Sequence, residues 1–182
     1  MFRSIFIVFC ITVMTFSRER IRPEYDFRDS SFSLVFQFDI PRISNDDLLS
    51  ILFNYEKVRE YSEKTNVKIS LIEENEKTNR ILYEYNYLVA KLGVEMFRQK
   101  FKDQNKVVFR MEKYNRTAKV IPDVLSAGGS YEFCEDTFTI TYKQETVMDR
   151  KINSIYTMFI KRDVQAYLKE IMRYIDEWVK KN

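Results

Sequence analysis

Between Phe32 and Ile40 apolar and polar positions alternate. Phe32, Leu34, Phe36, Phe38 and Ile40 fall on one side, and Ser33, Val35, Gln37 and Asp39 on the other. A period of two is that of a strand with one apolar face, and Pro41 ends it. The pattern then changes. Ser44 followed by Asp47, with Asp46 beside it, is a helix start signal. Leu48, Leu49, Ile51, Leu52 and Phe53 fill a short helix. A second short helix, Tyr55 to Glu63, turns Val58 and Tyr61 inward, and Asn54 marks the break between the two.

From Val67 the period of two returns and persists through most of the chain. It predicts strands over 67–73, 80–89, 94–102, 106–114, 126–134 and 137–147. The charged turn 73–79, Gly93, Asp103-Gln104-Asn105 and Glu135-Asp136 punctuate them. The segment 115–125, with Pro122, fits neither period. Near Ile152 the spacing lengthens to three and four. Ile160, Val164, Tyr167, Leu168, Ile171, Ile175 and Trp178 share one stripe. Lys161, Arg162, Gln165, Lys169, Arg173, Asp176 and Lys180 fill the other side. An amphipathic helix over 153–180 follows.

Consecutive strands joined by short turns form an antiparallel meander. Seven strands with one apolar face twist and curl. The last helix is the only element long enough to fill the hollow, and the two short helices can close one end. The predicted class is α+β. This order, with the paired short helices over Asn45–Glu63 and the strand TFTITYKQETV (Thr137 to Val147) running into the long helix, resembles the helix-grip superfamily. That superfamily, also called SRPBCC, comprises START lipid-transfer domains, the birch-pollen allergen and polyketide cyclases. The resemblance covers Phe32 to Lys180. It implies a seven-stranded curved sheet, two short helices after the first strand, a long C-terminal helix across the concave face, and one START-like domain over 32–182. It also implies a cavity between helix and sheet for a hydrophobic ligand: a lipid, a sterol or a polyketide-like molecule.

Composition sharpens the picture in three places. The chain of 182 residues carries 15 Phe and 12 Tyr against 3 Gly and 3 Pro, so rings dominate its core. The net charge of +3 is spread over mixed signs, with no basic stripe to meet a nucleic acid. Histidine is absent, which removes the commonest general base, metal ligand and triad partner. No catalytic residue, metal site or cofactor is expected, and the chain reads as a monomeric binding protein with transient membrane contact. Cyclase- or hydrolase-type chemistry, and an interaction module with a filled cavity, are the alternatives. For the former, Arg98, Arg110, Glu112, Gln144 and Glu145 are the polar candidates.

The N-terminus, MFRSIFIVFCITVMTFSRER, has a single early positive charge and an apolar run from Ile5 to Phe16. That run suits a signal-peptide core and is short for a membrane span. Residues 1–17 are read as a signal peptide ending at Ser17, so the protein is expected outside the cytoplasm, secreted or periplasmic. An uncleaved membrane anchor is the other reading. Residues 18–31, polar and charged with Pro23, are read as a linker. Cys10 lies in the apolar run, which leaves Cys134 without a disulfide partner.

The pocket candidates are Tyr83, Tyr85, Tyr87, Arg98, Phe109, Tyr142, Tyr167 and Ile171. The tyrosine row offers apolar bodies with polar tips, suited either to gripping a ligand or to core and surface packing. Arg98 alternates with Val94 and Met96. Facing inward it would need a partner, and a ligand carboxylate would serve. If instead Glu95, Phe97, Gln99 and Phe101 form the buried face, Arg98 is solvated. Tyr167 and Ile171 are expected to line the cavity, and Trp178 to pack against the sheet.

Overall fold

The computed structural model describes residues 21–65, 67–87, 90–117 and 122–182, and only the backbone at residues 21, 22, 87 and 90. The signal-peptide segment 1–17 and Val89 lie outside the described residues. The elements are β1 Ile21–Phe27, β2 Ser31–Asp39, α1 Asn45–Phe53, α2 Tyr55–Ser62, β3 Val67–Glu74, β4 Thr78–Tyr87, β5 Ala90–Phe101, β6 Lys106–Arg116, β7 Val124–Cys134, β8 Thr139–Met148 and α3 Ser154–Lys181.

Local chemistry sets the boundaries. The Ser44 hydroxyl accepts from the Asp47 amide at 3.1 Å and starts α1. Asn54 ends α1 and starts α2, its side chain accepting from the Lys57 amide at 3.3 Å. Asn105, at φ 48°, closes the β5–β6 turn in the left-handed region that asparagine tolerates. Asn153 caps α3 by accepting from the Tyr156 amide at 3.0 Å.

The described strands form one antiparallel sheet in the order β1-β2-β8-β7-β6-β5-β4-β3. It curves around α3, as the resemblance implies, but it has eight strands rather than seven. The additional strand is β1, within the segment read as a linker. Ile21 pairs with Phe38 and Phe27 with Phe32. An edge strand is paired on one side only and tolerates charge and proline on its exposed face. Pro23, Glu24 and Asp26 are exposed, while Tyr25 and Phe27 pack on the core. The second correction concerns Gly93. It lies inside β5, opposite Glu84 and Asn115, because the strand starts at Ala90.

Register brings distant positions into one row across the concave face. Asn79, Arg98, Phe109, Gly129, Gln144, Leu34 and Tyr25 are successive cross-strand neighbours from β4 to β1. At Gly129 a methyl group would sit 2.0 Å from the Lys143 carbonyl oxygen and 2.6 Å from the tip of the Phe109 ring. The missing side chain lets Phe109 lie flat along the row. The core comprises Leu34, Phe36, Phe38 and Ile140 from the sheet, Leu48, Ile51, Leu52, Phe53, Val58 and Tyr61 from the short helices, and Leu168, Ile171 and Ile175 from α3.

Candidate functional site

The two halves of α3 meet the sheet differently. Leu168, Ile171, Met172 and Ile175 in the second half are buried, whereas Tyr156, Ile160, Val164 and Tyr167 in the first half are only half-buried. Beneath this looser half lie rings from three central strands. Phe109, Tyr131 and Tyr142 have centroids 5.0 to 5.8 Å apart, with Phe109 and Tyr142 stacked. Tyr83 of β4 and these three are buried, at 5 to 9% exposure.

Arg98 enters the same region from β5 and is 2% exposed. The solvent-facing alternative is therefore corrected: the apolar side chains beside Arg98, Val94 and Met96, face the core with it. A buried guanidinium needs acceptors, and here the backbone supplies them. Arg98 donates to the carbonyl oxygens of Leu52 and, at 3.4 Å, of Phe53. These are the last carbonyls of α1, where the helix dipole is negative. Its cross-strand neighbour Asn79 donates to the same Phe53 oxygen at 2.7 Å. Across the break, Glu74 accepts from the Tyr55 amide at 3.2 Å, placing a carboxylate at the positive start of α2. The α1–α2 junction is thus clamped by one side chain of each charge.

Burial works against the charge on Arg98, yet with the phenols of Tyr83, Tyr61, Tyr167 and Tyr131 around it the guanidinium holds its proton above the ordinary arginine value. The phenols are affected in their turn. Burial pushes Tyr61, Tyr83, Tyr131 and Tyr142 well above the ordinary tyrosine value, so they stay protonated. Polar pairs continue towards β8 and the rim. Tyr142 donates to Gln144 Oε1 at 2.5 Å, and Gln144 Nε2 donates to Thr146 Oγ1 at 3.1 Å. Gln165 of α3 donates to the Tyr25 hydroxyl at 2.6 Å.

Comparison with known proteins places this architecture. No protein-family profile matches the sequence, and no curated protein matches it significantly. Solved structures do match in shape. An aromatase/cyclase from Streptomyces is 13% identical, with a TM-score of 0.60 over 84% of this chain and 96% of that one. A STAR-related lipid transfer protein from Xanthomonas axonopodis is 11% identical, with a TM-score of 0.57 over 87% and 99%. A major latex-like protein from Panax ginseng is 12% identical, with a TM-score of 0.56 over 81% and 97%. The chain has the helix-grip fold. At these identities the likeness concerns the fold alone.

Within the helix-grip frame, Tyr83, Tyr85, Arg98, Phe109, Tyr142 and Tyr167 come together on the concave face. The side chain of Tyr87 lies outside the described residues. Ile171 is wholly enclosed and belongs to the packed half of α3, not to the looser half expected to border a cavity. Trp178 is only half-buried, with Lys57 Nζ 3.9 Å above its ring. Both therefore pack against the core, Ile171 wholly and Trp178 in part, at the end of α3 where α2 meets it. Arg110, Glu112 and Glu145 are exposed, whereas Gln144 reaches inward. Sequence reasoning missed Tyr25, Tyr131 and Thr146 as site residues. For Tyr131 and Thr146 the signal was available in the alternation of β7 and β8. For Tyr25 it was masked by the polar character of an edge strand.

Proposed function

We propose that this protein is a non-enzymatic carrier for a hydrophobic ligand, a lipid, sterol or polyketide-like molecule, held between the sheet and the first half of α3. The observation that carries the reading is the contrast along α3, whose residues Tyr156, Ile160, Val164 and Tyr167 stay half-buried over the aromatic rings of the concave face while its second half is enclosed. The similar structures include a lipid transfer protein and an aromatase/cyclase, which favours small-molecule binding on this fold. Apolar surface that stays wet without a partner is a cost that a ligand relieves. The apolar run Ile5–Phe16 supports export, with action outside the cytoplasm. Ile155 and Met158, both more than half exposed, and Phe159 lie on the outer side of the loose end of α3 and supply apolar contacts for transient docking to a membrane.

Solvent extraction of the purified full chain followed by mass spectrometry tests the carrier reading. An apolar molecule recovered in stoichiometric amount is the expected result. An empty protein that also takes up no apolar dye would make the domain an interaction module with a filled groove. N-terminal sequencing of the exported protein tests the export reading, with a start near Arg18 expected and an intact Met1 contradicting cleavage.

A further inference from the structure

Asn115-Arg116-Thr117 is the one Asn-x-Ser/Thr triplet in the chain, and its middle residue is not proline. Such a triplet is the acceptor for N-linked sugar in a secreted protein. The triplet by itself marks a sequence that the transferase recognises. The fold adds where the asparagine stands and what else it does.

Asn115 lies near the end of β6. The residue before it, Tyr114, pairs with Val94, which packs against the core, so Tyr114 faces inward; its hydroxyl donates to the Pro122 carbonyl at 3.1 Å. Alternation turns Asn115 to the outer face of the sheet, where it is exposed. Opposite it stands Gly93, and a Cβ added there would lie 3.9 Å from that of Asn115. The missing side chain leaves the surface beside Asn115 bare. On the other flank the described pairing of β6 with β7 runs from Lys106 to Arg110 and stops before Asn115.

The amide is also uncommitted. Asn54 and Asn153 cap helices, Asn75 holds the β3–β4 turn, and Asn79 donates to the Phe53 carbonyl. Among the described residues the Asn115 side chain makes no hydrogen bond. A bulky group on its nitrogen therefore displaces no contact of the fold.

We propose that Asn115 is a site of N-linked glycosylation. This rests on the export reading above, because the transferase acts on chains that have entered the secretory pathway. Asn115 Nδ2 displaces a lipid diphosphate from the anomeric carbon of a lipid-linked oligosaccharide. A carbon–nitrogen bond forms, the sugar–phosphate carbon–oxygen bond breaks, and Nδ2 gives up one proton. The sugar then covers the outer face beside the open flank of β6, where an unpaired strand invites association with other chains. It leaves α3, with its exposed Ile155 and Met158, uncovered.

The test is expression of the full chain, with its own N-terminus, in eukaryotic secreting cells, followed by digestion of the secreted protein with peptide N-glycosidase F. A single downward step in mass, with aspartate left at position 115, is expected. Asn115→Gln and Thr117→Ala should each abolish the step, and Thr117→Ser, which keeps the hydroxyl, should preserve it. The Thr117 hydroxyl also accepts from the Lys91 amide at 2.9 Å. Should Thr117→Ala fail to fold for that reason, Asn115→Gln decides, and its melting temperature should match that of the digested wild type. Secreted wild type that shows no step, or a step that survives Asn115→Gln, overturns the site and leaves export standing. A chain kept in the cytoplasm with Met1 intact overturns both.

Discussion

Arg98 donates a hydrogen bond to the carbonyl oxygen of Leu52, although the two residues lie 46 positions apart in the chain. The contact joins the middle of the sheet to the end of α1 and stands where an ion pair would be expected. Because the acceptors are backbone atoms, truncating Arg98 would take from the Leu52 carbonyl its guanidinium donor and leave the Phe53 carbonyl to Asn79 alone, as well as removing the charge. Arg98→Met should therefore destabilise the protein by about 2–4 kcal/mol, as expected for losing charged hydrogen bonds whose partners stay buried. Urea unfolding measures it. Arg98→Lys should recover only part of the loss, since one ammonium cannot span both carbonyls in the geometry of the guanidinium fork.

The two halves of α3 should answer truncation differently. Ile171→Ala opens a void in tight packing and should cost about 2–5 kcal/mol. Val164→Ala, in the half-buried stretch, enlarges space that already exists and should cost about 1 kcal/mol or less. Dye affinity should move in the opposite sense, changing for Val164→Ala and barely for Ile171→Ala. Thermal melts and dye titrations on the two variants decide it. Equal losses of stability would mean that α3 is packed alike along its length.

Gly129 predicts a steric result. Alanine there would push against the Lys143 carbonyl oxygen, 2.0 Å from the new carbon, and against the Phe109 ring. Backbone cannot step aside as a side-chain tip can, so overpacking of about 1–3 kcal/mol or more is expected. The Phe109 ring should also be displaced into the groove, so Gly129→Ala should weaken dye binding beyond what its melting temperature alone explains.

Alkaline titration should expose the buried phenols. Tyr61, Tyr83, Tyr131 and Tyr142 are raised above their unfolded value, primarily by burial. A raised folded value means the folded state holds its protons longer. The associated stability is complete below about pH 10, the ordinary tyrosine value, and is lost as pH rises beyond it. Absorbance of tyrosinate near 295 nm should show exposed tyrosines ionising first and these four ionising together with unfolding. A single titration of all tyrosines near the ordinary value, with the fold intact, would contradict their burial.

At the acid end Glu132 should matter. Its hydrogen bond from Lys106, helped by Lys143 and Ser130 against partial burial, lowers its carboxyl to about 2. A depressed folded value contributes stability that is full above the unfolded value near 4.5 and is lost as pH falls towards about 2. Glu132→Gln should flatten the fall in melting temperature across that window and leave the neutral-pH behaviour of the groove unchanged. Because the pair is substantially exposed, added salt should reduce the difference.

The sequence by itself determined the element order, the two-helix break at Asn54, the cap at Ser44 and the amphipathic nature of α3. These follow from periodicity and capping, which act between residues a few positions apart. It also grouped Tyr83 with Tyr85, and Phe109 with Val107, on one face of their strands, because alternation fixes which residues share a face. Alternation cannot say which of two mixed faces turns inward, and at β5 both faces carry apolar and charged residues. There the tertiary structure decided, because only register against β4 and β6 and the arrival of α1 give Arg98 its acceptors. The same holds for β1, whose polar sequence becomes a strand only because the edge of β2 is available to pair with it. It holds too for α3, a continuous stripe in sequence. Its second half is buried by α2 and the sheet while its first half stays loose, since the short helices close the groove at one end only.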